Sequence, residues 1–334
     1  MGNDVNHGYF EARATHGDNA DGIVSNRTKL VNSNEVNIRV SMFFDGTNNN
    51  KFNTEGRLEF FKKLHGQEHN AVAAAVYEER LRSGKSGLKI DDSYSNDYSN
   101  VARLFNYYDD TSNKKTELIG CVYIEGIATT SDGEDIIGGD DKPFPGGAFG
   151  AGRTGILKKV EKGCYKLAEL CKELIEDDEI AVLTVDVFGF SRGAAAARNF
   201  IYEITQDEKP EQINTSAPSI TGATTSYTVP AQPAHGALGK AFIENEIKFE
   251  GEIKIAFAGL FDTVPSYWKG IGDGGTKVLH LDAVGKAQDV LHLTAMDERR
   301  KKFALASVTK SKGSAYEKAL PGVHSDIGGA ITQL

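Results

Sequence analysis

The chain has 334 residues, 40% of them hydrophobic and 25% charged, enough apolar material for one large sheet-centred domain or two smaller ones. Its net charge of −9 argues against nucleic acid as a partner and against purely electrostatic docking on anionic lipid. Cys121, Cys164 and Cys171 are too scattered for a disulfide framework or a zinc site, so synthesis in a reducing compartment is expected and no cofactor is.

Residues 1–35 are polar and lack a signal-peptide core, and they are expected to form a flexible arm. No run reaches the ~18 to 20 apolar residues of a membrane span, so synthesis as a soluble cytosolic protein is expected. The stretch "EVNIRVSMFFDGTNNN" predicts a strand over 36–44 that ends in an Asp-Gly-Thr-Asn turn. Helical spacing runs through "LEFFKKLHGQEHNAVAAAVYEERLRS" and through "NVARLFNYY", the latter behind the candidate cap Ser99. "ELIGCVYIEGI" is a second strand candidate, followed by a glycine-rich loop over 133–155 that is expected to lie across one sheet edge.

An amphipathic helix, "ILKKVEKGCYKLAELCKELIE", precedes the apolar strand "EIAVLTVDVFGF". A helix opens at the alanines after it, and a Pro/Ser/Thr-rich excursion spans 206–235. The chain resumes with the strand "EIKIAFAGLFDTV", a helix around "AQDVLHLTAMDERRKKFAL", and a last strand near "AYEKAL" before "PGVHSDIGG". Strands alternating with helices predict a single α/β domain over 36–334, with a mainly parallel twisted sheet and helices on both faces.

Within this pattern Gly189-Phe190-Ser191-Arg192-Gly193 stands where a strand becomes a helix. That is the placement of a nucleophile elbow, which makes the fold α/β-hydrolase-like. Glycines on either side leave room for the strained turn that lifts Ser191 above the sheet. A serine hydroxyl needs a base and an orienting acid, which in this fold follow in the order Ser, Asp, His at strand ends. Asp262 closes the strand "IKIAFAGLF" and is the candidate acid.

Eight histidines compete for the base. His7 and His16 lie in the arm, His65 and His69 in a surface helix, and His235 beside the excursion. His280 and His292 fall in or near the late helix, where a packed histidine is the ordinary expectation. His324 alone stands on a tight loop after the last strand, between Pro321-Gly322 and Gly328-Gly329, and is the candidate base.

Seven blocks in order extend the reading: "FFDGTNNN", "SNVARLF", "YIEGIATT", "VFGFSRGAAAAR", "AGLFDTVPS", "HLTAMDERRKKF" and "PGVHSDIGG". Together they resemble the α/β-hydrolase-type phospholipase effectors of the bacterial type VI secretion system, over about residues 36–330. The resemblance puts the family's serine, acid and histidine on Ser191, Asp262 and His324. It implies an antibacterial toxin that hydrolyses acyl esters of membrane glycerophospholipids, is delivered by type VI secretion components to the periplasm of a rival cell, and is countered by a cognate immunity protein. Family members usually continue well beyond this histidine, whereas the sequence stops ten residues after His324. A truncated or split form is therefore expected, with a further chain or further residues covering the sheet near Ala315–Leu320.

The expected oxyanion donors are the backbone amide of Arg192 and the turn at Gly46 and Thr47. Asp45 is read as a turn residue rather than a metal ligand, and Arg198 as the partner of a carboxylate beneath the sheet. Phe190, Tyr267 and Trp268 either line an acyl pocket or pack in the core. Two other functions use the same residues: an esterase or thioesterase on soluble acyl compounds, and a secretion adaptor that keeps the fold without the chemistry.

Overall fold

The computed structural model describes residues 23–26, 35–82, 93–108, 117–129, 155–175, 179–215, 226–265, 278–309 and 314–329. Its strands are β1 (Ile23–Asn26), β2 (Glu35–Phe44), β3 (Glu117–Ile124), β4 (Glu179–Phe190), β5 (Gln212–Thr215), β6 (Ser226–Val229), β7 (Glu252–Phe261), β8 (Asp289–Ala295) and β9 (Ser314–Leu320). Helices are α1 (Lys51–Leu64), α2 (Ala71–Arg82), α3 (Asn100–Asn106), α4 (Ile156–Ile175), α5 (Arg192–Ile204), α6 (Gly236–Glu244) and α7 (His324–Gly328), with a 3-10 turn at Leu281–Lys286.

Seven strands form one sheet in the order β1-β3-β2-β4-β7-β8-β9, and β5 and β6 pair separately. Every pairing in the large sheet is parallel except that of β1 with β3. The sheet is therefore the mainly parallel α/β type that the sequence predicts. From β2 the chain moves to β3 on one side, and from β4 it moves to β7 on the other. The carboxyl ends of β2 and β4 thus flank the point where connections diverge, which is where open α/β sheets leave a crevice.

Each sheet face has its own core. On one, Val36, Ile38, Val40, Met42 and Phe44 of β2 and Leu183, Val185 and Val187 of β4 pack beneath α4, α5 and α6. The α4 stripe Ile156, Val160, Cys164, Leu167, Cys171 and Leu174 recurs every three or four residues, so one helical face supplies it. On the other face, Phe43, Tyr123 and Phe190 pack with Val101, Ala102 and Phe105 of α3. Ser99 caps α3 as expected, accepting a hydrogen bond from Ala102 N at 3.0 Å. Edge strand β9 is mostly exposed, including Ala315, Tyr316 and Ala319.

Four expectations change. The helix anticipated around "AQDVLHLTAMDERRKKFAL" is strand β8, whose Val290, His292 and Thr294 alternate inward. The single helix over 58–83 is two, because Gly66 turns left-handed (φ 67) and ends the first. Part of the N-terminal arm, Ile23–Asn26, joins the sheet as β1, antiparallel to β3. The excursion over 206–235 carries the β5-β6 pair. The glycine-rich loop, apart from Gly155, lies outside the described residues, as do Tyr267 and Trp268.

Candidate active site

β4 delivers the serine. Ser191 follows it with φ 58 and ψ −125, a conformation costly for any residue with a side chain, and α5 starts at the next position. The turn closes only around glycine: a Cβ on Gly189 would stand 2.6 Å from Ala194 Cα, and one on Gly193 2.2 Å from Asp45 O. Ala194–Ala197 are buried, and their small side chains let α5 settle against the sheet. Ser191 Oγ makes no capping bond to α5, which leaves the hydroxyl for another partner.

That partner is His324. Its Nε2 lies 2.8 Å from Ser191 Oγ, and its Nδ1 lies 2.6 Å from Asp262 Oδ2. A carboxylate only accepts, so the proton sits on Nδ1 and the Nε2 lone pair faces the serine hydroxyl. The rings of Phe190 and Phe303 flank the imidazole, each with its centroid 4.8 Å away. Both side chains of the His324–Asp262 pair are almost wholly buried. His324 is the first residue of the short helix α7 rather than part of an irregular loop, and its amide donates to Glu298 Oε2 at 3.3 Å.

Asp262 sits one residue past β7 with φ 42, again left-handed. Its amide donates to Leu293 O at 2.7 Å, and Ala295 N donates to its Oδ1 at 2.9 Å. The ends of β4 and β7 are also bonded directly: Ser191 N donates to Phe261 O at 2.9 Å, and Val264 N to Ser191 O at 3.2 Å. The three residues chosen from sequence are therefore brought together, from three separate parts of the chain.

The remaining predicted residues border this group. Arg192 opens α5 directly after the serine. Gly46 and Thr47 follow β2 on the loop against which Gly193 packs. Gly46 N already donates to Asp45 Oδ1 at 2.7 Å, so its amide is engaged in the turn. Thr47 Oγ1 is buried and has no hydrogen-bond partner among the described residues. Asp45 itself is buried; its carboxyl is pushed up to about 6 by burial, against hydrogen bonds from Ser99, Tyr123 and Gly46. Behind the loop, Asn48 N donates to Ile127 O at 3.0 Å and Gly126 N to Asn49 O at 2.8 Å, tying it to the segment after β3. That segment is fixed in turn by Glu125, which takes hydrogen bonds from Lys159 and Lys162 of α4.

Arg198 differs from expectation. Its guanidinium donates to the carbonyls of Leu281 at 2.8 Å and Ala306 at 2.7 Å, not to a carboxylate, and burial pushes it down to about 10. Sequence reasoning missed Phe303, Glu298 and Arg300. Arg300 pairs with Glu298 at 2.6 Å and stacks 3.7 Å over the Phe303 ring, which meets His324 edge-on. The signal was the run "DERRKKF", hidden because it was read as helix. Among the described residues, no group of three His, Cys, Asp or Glu side chains gathers as a metal site, and no helix is long and apolar enough to cross a membrane.

No curated protein matches the chain. Among solved structures, it is similar to that of the Tle1 effector bound to the VgrG spike from the type 6 secretion system. The two are 28% identical with a TM-score of 0.50, over 89% of this chain and 52% of that one, so the chain spans about half of its relative's length. An uncharacterized protein from Pseudomonas aeruginosa is 18% identical with a TM-score of 0.39, over 88% of this chain and 41% of the other. The family described as "T6SS, Phospholipase effector Tle1-like, catalytic domain" matches residues 86–334. Three-quarters of the chain, including the elbow, the acid and the histidine, lie in that match: the chain belongs to the Tle1-like phospholipase effectors of the type VI secretion system.

Proposed function

We propose that the chain is the catalytic part of an antibacterial effector that hydrolyses an acyl ester of membrane glycerophospholipids through Ser191, His324 and Asp262. The observation that carries the reading is the Ser191–His324–Asp262 relay at 2.8 and 2.6 Å on a strained elbow, in a member of a phospholipase effector family. His324 Nε2 takes the Ser191 proton as Oγ attacks the acyl carbonyl, and Asp262 holds the resulting imidazolium. Collapse of the tetrahedral intermediate breaks the ester C–O bond, and His324 returns the proton to the departing lysolipid alkoxide. Water, deprotonated by the same ring, then attacks the acyl-serine and releases the fatty acid and the free Ser191 hydroxyl. The Arg192 amide and the Gly46–Thr47 turn are the proposed oxyanion donors, although the Gly46 amide is engaged by Asp45.

Delivery follows the relative seen bound to a VgrG spike: the chain rides type VI secretion components to the periplasm of a rival cell, and an immunity protein shields the producer. The exposed β9 surface around Tyr316 is where a further chain, or further residues of the effector, would pack.

Lipid mass spectrometry on phospholipid vesicles tests the reaction. The wild type should release fatty acid and lysophospholipid, and Ser191→Ala should release almost none. Equal turnover of monomeric and vesicular esters would favour a soluble-ester hydrolase. Turnover unaffected by Ser191→Ala would end the serine mechanism, and an inert wild type that still binds the spike would make the chain an adaptor.

A further inference from the structure

One residue beyond Asp262 the chain meets a second histidine–carboxylate pair, a buried imidazole with a partly buried carboxylate, which the acyl-transfer scheme does not use. His292 of β8 is wholly buried; its Nδ1 lies 2.8 Å from Glu317 Oε2 of β9. Its Nε2 lies 3.0 Å from Thr263 N and 3.1 Å from Thr263 Oγ1. A backbone amide can only donate, so Nε2 is unprotonated and the ring proton is on Nδ1, facing Glu317. Glu317 is itself fixed: Oε2 also accepts from Val308 N at 2.9 Å, and Oε1 from Ser307 Oγ at 2.9 Å.

The pair bears on the site through backbone strain. Asp262 is left-handed at φ 42, a conformation that persists only where its surroundings fix it. Hydrogen bonds on both sides of Asp262 fix this turn. Asp262 N to Leu293 O, Val264 N to Ser191 O and Ala306 N to Thr263 O are backbone to backbone. Two more involve side chains: Ala295 N donates to Asp262 Oδ1, and Thr263 N donates to His292 Nε2. We propose that His292 and Glu317 are positioning residues: neutral His292, oriented by Glu317, holds the Thr263 amide and so keeps the Asp262 carboxylate aimed at His324.

Protonation of His292 would set Nε2–H against Thr263 N–H and break that bond. The charged groups around the ring are Glu317 on β9, Asp262 at the end of β7 and Arg198 on α5. Burial lowers the His292 pKa and outweighs the upward pull of Glu317, which keeps the ring neutral. The role rests on the proposed serine chemistry, but its geometric part can be read without turnover.

The test joins three readouts on the full chain: the rate at which Ser191 reacts with a fluorophosphonate probe across pH, the KM for lipid, and the downfield proton resonance of the His324–Asp262 hydrogen bond. His292→Ala should slow the probe about 10- to 100-fold, the scale of a misplaced catalytic group. It should leave KM for lipid nearly unchanged and shift the downfield resonance upfield. His292→Gln restores an acceptor toward Thr263 N and should recover part of the rate. Glu317→Ala should resemble His292→Ala. Glu317→Gln should recover most of what Glu317→Ala loses, because its carbonyl can serve His292 Nδ1–H and Val308 N–H while its amide faces the Ser307 hydroxyl. If His292→Ala does not fold, His292→Gln and the two Glu317 variants make the same comparison. Variants that melt earlier yet keep the wild-type probe rate, pH profile and resonance would make the pair merely structural and overturn the proposal. So would a Glu317→Gln as damaged as Glu317→Ala. A wild type inert to the probe would sink the serine chemistry, and the resonance alone would then decide whether the pair orients Asp262.

Discussion

The Tyr123 hydroxyl donates to Asp45 Oδ2 at 2.5 Å, with both side chains shut away from water. Burial raises the Asp45 carboxyl from 3.8 to about 6 even though three donors oppose it. A carboxyl raised on folding means that the folded chain binds the proton more tightly than the unfolded one. Stability therefore falls as pH rises from about 4 to about 6 and then levels. Asp45→Asn should flatten this slope and raise stability at neutral pH by on the order of 1 to 3 kcal/mol. Urea denaturation from pH 4 to 8 checks it; an unchanged slope would mean that Asp45 is ionised at no cost.

Glu125 behaves oppositely. Burial pushes its carboxyl up, but Lys159 and Lys162 outweigh burial and hold it at about 2. Its contribution is present above the unfolded value of 4.5 and is lost as pH falls toward about 2. Glu125→Gln removes the buried carboxylate that Lys159 and Lys162 share and should cost on the order of 3 to 5 kcal/mol. Because the Glu125 segment supports the loop carrying Gly46 and Thr47, acyl transfer should slow more than substrate binding weakens. Denaturation and steady-state kinetics on one preparation separate the two effects.

The elbow should show a conflict between stability and function. Ser191→Ala keeps a Cβ at φ 58, whereas Ser191→Gly removes it. Both should be inactive, but the glycine variant should be the more stable by about 1 kcal/mol. Gly193→Ala should fail differently, since its Cβ has no room beside Asp45 O, and should lose both stability and probe labelling. A glycine variant that melts below the alanine variant would argue that the turn is unstrained.

On β9, Tyr316 is 60% exposed, and it shares its sheet face with the half-buried Leu291 and Leu293 of β8. Apolar area left in water forgoes roughly 25 cal/mol per Å². The isolated chain is expected to self-associate or to bind a partner through this face, and Tyr316→Asp should abolish that. Sedimentation decides: a stable monomer whose behaviour Tyr316→Asp leaves unchanged would sink the idea.

The elbow and its partners were legible because local rules and tertiary needs agree there. A β-branched strand, two glycines and an alanine-rich helix each point to one geometry; Asp262 stands at a strand end and His324 opens the helix that follows β9. β8 was not legible. Its inward positions include the polar residues His292 and Thr294, and His292 finds its partners in Thr263 and Glu317 from other parts of the chain, so the period-2 signal is lost in sequence. The charged run after it then imitated the continuation of a helix. α6 was missed for a related reason: two glycines and a proline-rich approach conceal Leu238, Ala241 and Phe242, which face the core. Arg198 was assigned the right depth and the wrong acceptor, since nothing local indicates that carbonyls 83 and 108 residues away will converge on it.

The proton relay spans 133 residues from serine to histidine and 62 from acid to histidine. Contacts of such separation carry a large loop-closure cost. The elbow can take shape once β2, β4 and α5 are paired, but the imidazole arrives only when β9 has docked beside β8 and α7 has turned back over the sheet. During synthesis, the serine emerges from the ribosome long before its base. Under the proposed chemistry, a chain that ended between Asp262 and His324 would carry an elbow without its proton acceptor.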